Sequence, residues 1–367
     1  MLFARQGLTA AVMAALSFSQ AAAQTWTTCN PLTTTCPAKT ALGMTVNVDF
    51  TKGGVNSFVA SGGGTVNYDS NGATFTVSKS GDAPQLASVF YIMFGRVEMT
   101  FKAAHGAGIV SSFVLQSDCL DEIDWEWLGA DAHEVQTNYF GKGLTTSYNR
   151  GAFHKTPENQ ATFHTYVVDW NADRIVWTVD GTIVRQLGFN DAEKGQYPQT
   201  PMQVKFGAWS GGDPSNPQGT IDWSRGPTDY SKGPFSMNVK KIKVTDYSTG
   251  TKYSYGDMTG NWQSIKAEGG KVNGNLNGAG ALTTTAVATG TNASPTTAGK
   301  PSVPAGGVGG DTTAGSSQYN LPPGWFMTSD GKIMPIGAAA GVVPPHVAIV
   351  SVFTVVASLV SLGRFFV

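Results

Sequence analysis

The stretch Asp121-Glu122-Ile123-Asp124-Trp125-Glu126-Trp127-Leu128-Gly129 limits what this chain can fold into more than any other. In an extended conformation successive side chains point to opposite faces, so Glu122, Asp124 and Glu126 share one side and Ile123, Trp125 and Trp127 the other. The apolar set needs a core, and the acidic set forms a row of three carboxylates on a sheet. Acids are depleted in strands, and like charges on one face repel, so stability alone gives little reason for such a row. A solvated antiparallel strand also alternates polar with apolar residues, but it does not need an acid at every outward position.

Glycoside hydrolysis supplies a chemical reason. A retaining enzyme uses two carboxyl groups about 5–5.5 Å apart, one as nucleophile and one as general acid and then base. Residues four apart on a strand lie roughly 13 Å apart at Cα, and two glutamates leaning together across a concave face close most of that gap. Asp124, between them, is placed to hydrogen-bond the nucleophile and to keep a proton in the cluster, because neighbouring carboxylates do not all ionise cheaply. Its charge also helps to hold the acid protonated near working pH.

Glu122-Ile123-Asp124-Trp125-Glu126 resembles the catalytic ExDxE strand of glycoside hydrolase family 16, the β-jelly-roll enzymes that include lichenases and xyloglucan transglycosylases. Gly108-Ile109-Val110-Ser111-Ser112-Phe113, Gln136-Thr137-Asn138-Tyr139-Phe140, Phe163-His164-Thr165-Tyr166 and Asp169-Trp170 are similar to the same family, in the same order. Within it, Cys29 and Cys36, Trp209-Ser210-Gly211-Gly212-Asp213 and Gly219-Thr220-Ile221-Asp222-Trp223 resemble the fungal Crh-type cell-wall transglycosylases. The likeness spans roughly residues 25–260, and ordered agreement over that length is far more specific than one motif. It implies Glu122 as nucleophile, Glu126 as acid/base and Asp124 as auxiliary acid. It also implies chitin as donor and β-glucan or chitin as acceptor.

The residues leave three single pairings open among Cys29, Cys36 and Cys119. Closure of the short Cys29–Cys36 loop is the simplest and agrees with the resemblance, which leaves Cys119 as a small hydrophobe packed behind the acid strand.

From about Thr45 to Tyr255 the chain reads as short β runs separated by turn signals. Thr74–Val77, Gly95–Lys102, Ile109–Leu115, Val135–Phe140, Tyr166–Trp170 and Met202–Trp209 are rich in β-branched and aromatic residues, and Asp180-Gly181 is the strongest hairpin signal. No long amphipathic helix competes. The expected fold is all-β, a jelly-roll sandwich of two antiparallel sheets with a concave groove for an extended glycan.

Aromatic rings along such a groove present apolar faces to sugar C–H groups. Tyr139, Trp209, Trp223 and Tyr230 are the candidates, Tyr139 and Trp209 because they match family positions beside the cleavage point. Trp223 and Tyr230 read equally as packing residues. Asn138 is placed to reach a hydroxyl beside the nucleophile. Arg96 reads as an ion-paired strand residue, and His154 and His164 as structural or subsite residues, since carboxylates already fill the acid and base roles.

Charged residues are only 13% of the chain and the formal net charge is −1, which argues against a basic footprint for nucleic acid. The expected partner is a neutral polysaccharide, met by a monomer with no cofactor and no metal.

The ends read differently. Met1-Leu2-Phe3-Ala4-Arg5, an apolar run from Leu8 to Phe18 and Ala21-Ala22-Ala23 read as a secretory leader over 1–23 rather than a core helix. The catalytic domain is expected over 24–266. A Gly/Ser/Thr/Pro-rich disordered stalk follows over 267–340, with a glycosylation sequon at Asn292. Within it, 319–334 is less biased and has no assignment. The apolar tail in 341–367, behind small residues at 337–340, reads as a GPI-attachment signal, with a membrane span as the alternative. The expected location is the cell wall and outer plasma-membrane face, the membrane being reached only through a lipid anchor.

Overall fold

The computed structural model describes residues 27–145, 149–276 and 282–288, and the backbone of 325–327 and 333–335. The leader, Asn292, most of the stalk and the tail over 341–367 lie outside the described residues. Among the described residues no helix is long and apolar enough to cross a membrane.

The alternation of the acid strand, Glu122–Leu128, is realised between two stacked sheets. One sheet has seven antiparallel strands in the spatial order 152–155, 134–140, 122–128, 109–117, 202–210, 85–88 and 58–60, which puts the acids near its middle. The other runs through 182–188, 174–179, 164–170, 95–102, 235–246, 45–49 and 283–285, with 72–77 and 66–69 attached beside 235–246. This is the expected all-β jelly roll. Each strand singled out from the sequence is present, several extended by a residue or two. Asp180 and Gly181 both take positive φ (46° and 84°), the geometry that a two-residue turn between twisted strands requires.

Trp125 and Trp127 supply the cement between the sheets. Both are fully buried, and Trp127 meets Phe101 and Tyr166 of the opposite sheet at centroid separations of 4.4 and 4.5 Å. Buried indoles need hydrogen-bond acceptors. Trp125 Nε1 donates to the Val167 carbonyl at 3.4 Å, and Trp177 Nε1 donates back across the core to the Asp124 carbonyl at 3.2 Å. The acid strand is therefore held from behind by apolar contact and by two cross-sheet hydrogen bonds. Truncating either fully buried tryptophan to alanine is expected to cost about 3–5 kcal/mol.

The entry to that strand is fixed by Asp121, which is fully buried. Its carboxylate accepts from Lys142 N, Gln199 N and Thr200 Oγ1 at 2.7–2.9 Å, and its own N–H donates to Ser117 Oγ. Cys29 and Cys36 form a disulfide, and Cys119 is a free buried thiol pushed up to about 12 by burial, which leaves it a packing residue.

The fold continues beyond the expected end at 266. Ile265–Glu268 completes a three-stranded sheet, Asn275 Nδ2 donates to the Asp246 carbonyl, and Thr283–Thr285 adds a parallel strand to Thr45–Asp49. A run of threonines carries little apolar surface, but it satisfies its backbone by pairing with a sheet edge that is already buried on one side. The stalk therefore does not start at 267. Further on, 325–327 and 333–335 pair as a two-stranded antiparallel unit that takes in part of the segment without assignment and ends one residue past it.

Candidate active site

Cross-strand register decides which side chains share the groove face, because directly opposed residues point the same way. Glu122 stands opposite Gln116 and Phe140, Asp124 opposite Val114 and Asn138, and Glu126 opposite Ser112 and Gln136. The next strand out adds Lys205 beside Val114, Gly207 beside Ser112 and Trp209 beside Val110. Trp209 thus lies past Glu126 along the groove, away from Glu122. On the opposite lip, Phe153 pairs with Gln136 and is 45% exposed, with the Arg225 guanidinium 5.5 Å from its ring.

The three acids sit in poor solvent. Glu122 and Glu126 open partly to the groove, while Asp124 is buried. Burial pushes Glu122 up to about 7, against the hydrogen bond from Asp124 and the positive charge of Lys205. Burial and the negative charge of Glu122 push Glu126 up to about 8. Asp124 is held well above the usual carboxylate range by burial, then by repulsion from Glu122 and Glu126, with Arg150 opposing. Neither Asp124 carboxyl oxygen receives a hydrogen bond from a described donor, so its contact with Glu122 forms only when one of the two carries a proton. The cluster thus holds a proton at neutral pH and keeps an acid and a base side by side.

Three of the five expected substrate contacts lie on this face or over it. Asn138 is in the row of Asp124, its side-chain oxygen accepting from Tyr139 N at 2.9 Å. Trp209 and Trp223 stack at 6.2 Å with planes 24° apart, and Trp223 Nε1 donates to Gln136 Oε1 at 3.1 Å. Trp223 ends the short helix Gln218–Trp223, brought there by the glycine loop before it. A Cβ at Gly212 would lie 2.8 Å from Gly108 Cα and 2.7 Å from Thr228 N, closer than backbone tolerates, so this crossing needs glycine.

Two expectations are corrected. Tyr139 is not in the groove: it stands opposite Ile123, so it points into the core, is only 3% exposed and lies under the Arg150 and Arg185 guanidiniums. The strand period of two puts it on the face opposite Asn138. Tyr230 packs against the core, and its hydroxyl donates to the buried Asp213 carboxylate, so its polar tip anchors the loop. Arg96 pairs with Glu98 and Asp169 on the other sheet. His154 bonds Thr137 Oγ1, and His164 bonds Asp180 and the Pro157 carbonyl, which makes both structural.

Gln136, Gln116 and Lys205 escaped the sequence reading. The period of two was available as a signal: Lys205 is four residues from Trp209 on the same strand and shares its face.

A two-sheet jelly roll with a Glu-x-Asp-x-Glu row on one sheet face, its carboxyls raised by burial, has the acid and base groups of a glycosidase. Residues 54–225 match the model of the glycosyl hydrolases family 16. Crh-like protein 4 of Botryotinia fuckeliana is 54% identical over 92% of this chain and 93% of its own length. Crh-like protein 4 of Aspergillus fumigatus is 48% identical over 88% of this chain and 74% of that protein. Among solved structures, one described as Crh5 transglycosylase in complex with NAG has 49% identity and a TM-score of 0.64, covering 65% of this chain and all of that one. The chain belongs to the Crh-like proteins of glycosyl hydrolases family 16 and is an enzyme of glycosidase and transglycosylase type.

Proposed function

We propose that the protein is a retaining transglycosylase of the fungal cell wall that cleaves chitin and passes the released chain to β-glucan or chitin. The observation that carries this reading is the stacked Trp209–Trp223 pair beside Glu126, tied to Gln136 in the row of that acid. Glu122 attacks the anomeric carbon while Glu126 protonates the departing glycosidic oxygen, giving a covalent glycosyl-Glu122. Either water or a sugar hydroxyl resolves that intermediate, with Glu126 now the base. Transfer prevails when a sugar is held in attack geometry, where effective molarities of about 10⁵ M or more outweigh the abundance of water. The leaving group departs at the Glu126 end, so the two tryptophans stand where an acceptor must bind. The relative described as a complex with NAG, the repeating unit of chitin, supports the donor.

The same reading places the enzyme outside the cell as a monomer. The leader over 1–23 is removed, Asn292 carries a glycan, and a glycolipid replaces the tail after 337–340. Chain ends mapped by mass spectrometry on native protein test this, and an intact Val367 terminus would indicate a membrane span instead.

Incubation with labelled chitin oligosaccharides tests the activity. Longer and mixed-length products with retained β-configuration are expected, and Trp209→Ala should shift them toward simple hydrolysis. Shortened products alone at high acceptor concentration would make the enzyme a hydrolase; binding without turnover would make it a lectin.

A further inference from the structure

A retaining mechanism needs its two glutamates to differ: the nucleophile ionised, the acid protonated. Glu122 and Glu126 lie on one strand and one face, both crowded by protein, and the alternation alone makes them equivalent. Lys205 breaks that equivalence. Its backbone lies in the row of Asp124, two strands away through Val114, midway between the glutamates. Its side chain leans to one side: Nζ donates to Gln116 Oε1, and Gln116 is the residue directly opposite Glu122. Residues two apart on a strand are about 7 Å apart, so this lean carries the ammonium toward the Glu122 row and away from the Ser112–Glu126 row.

We propose that Lys205, held by Gln116, is the positioning residue that keeps Glu122 ionised and leaves the shared proton on Glu126. The inference rests on the retaining reading above and names what sets its acid and base apart.

The other charges around these groups agree. Asp118 is the anion best placed to compete for Lys205, but Lys39 pairs with it at 3.1 Å, and Thr27 Oγ1 and Tyr91 OH donate to its other oxygen. The ammonium of Lys205 is thus shared between Glu122 and an Asp118 whose charge Lys39 already balances. Glu122 feels Lys205 and Asp124, Asp124 feels both glutamates and Arg150, and Glu126 feels Glu122. Burial lowers the Lys205 proton affinity, the negative charges of Glu122 and then Asp118 support it, and the positive charge of Lys39 opposes it, so Lys205 and Glu122 stabilise each other's charged form.

The test compares pH profiles of kcat/KM on chitin oligosaccharides for the wild type, Lys205→Met and Lys205→Arg. The acidic limb reports ionisation of the nucleophile and the basic limb loss of the acid's proton. Lys205→Met should move the acidic limb up by about one pH unit, with about tenfold less activity on that side, and Lys205→Arg should restore it. A merely structural lysine would lower activity by one factor at every pH and leave the limb in place, and that result in a folded variant overturns the proposal. Lys205→Gln replaces Lys205→Met where the latter does not fold. Carboxyl ¹³C NMR titration of Glu122, assigned by loss of its resonance in Glu122→Gln, gives a readout free of substrate. If the wild type turns over no glycan, the functional reading fails on its own, and an unmoved Glu122 titration in Lys205→Met or Lys205→Gln still refutes the role of Lys205.

Discussion

Glu126→Gln should stabilise the protein while removing most of its turnover, and the size of the stabilisation follows from where the carboxyl sits. Burial and the charge of Glu122 raise its proton affinity in the folded state from an ordinary 4.5 to about 8. An acid whose folded value is raised contributes no penalty below the unfolded value. The penalty accumulates as pH rises from about 4.5 to about 8 and is constant above, because over that span the folded state binds more protons than the unfolded. Each tenfold step in proton affinity is worth about 1.4 kcal/mol, which sets a ceiling of about 5 kcal/mol. The side chain opens partly to the groove and shares its repulsion with Glu122, so about 2–4 kcal/mol is the expected gain at alkaline pH. Urea denaturation of both proteins at about pH 4 and about pH 9 measures it. The variant should match the wild type within about 1 kcal/mol at the lower pH and exceed it by the stated amount at the higher. A difference that stays the same at both would show that burial does not strain this carboxyl, and the reasoning would fall.

Other expectations concern different parts of the molecule. Glu122→Gln should remove nearly all turnover and Glu126→Gln about 10²–10⁴-fold, with native circular dichroism in both; Asp124→Asn should cost less, and near-normal activity in either glutamate variant would end the assignment. Asp246 is fully buried and accepts from Gly43 N, Met93 N, Ser248 N and Tyr253 OH, so Asp246→Ala should lower urea stability by about 3 kcal/mol or more by orphaning buried donors. Cys119 should resist iodoacetamide near pH 8 in the native protein and react once the protein is unfolded; prompt native labelling would contradict its burial.

The fold and the acid row were legible because both obey the strand period. Glu122 to Trp127 announces its two faces, and Asp180-Gly181 has a turn geometry that few residue pairs allow. Tyr139 was misplaced where the same period was not applied: one residue from Asn138, it had to face the other way. Tyr230 and Gln136 depend on partners 17 and 87 residues distant, a relation no local pattern carries. Lys205 shares its face with Trp209, but its lean toward Glu122 is set by Gln116, on a strand that sequence distance does not link to it. The domain end was placed early because Thr283–Thr285 has the composition of a linker and acquires its role from an edge that the rest of the chain builds.

That last strand also separates the end of the described sandwich from its acids. Thr283–Thr285 closes the far edge of the sheet that does not carry the acids, a different sheet from the one that holds Glu122, Asp124 and Glu126. The strand order sets five strands between this edge and the far edge at Thr182–Gly188, so a change at Thr283–Thr285 reaches the acids only through the packing between the sheets, never through the hydrogen-bonded rows that hold them.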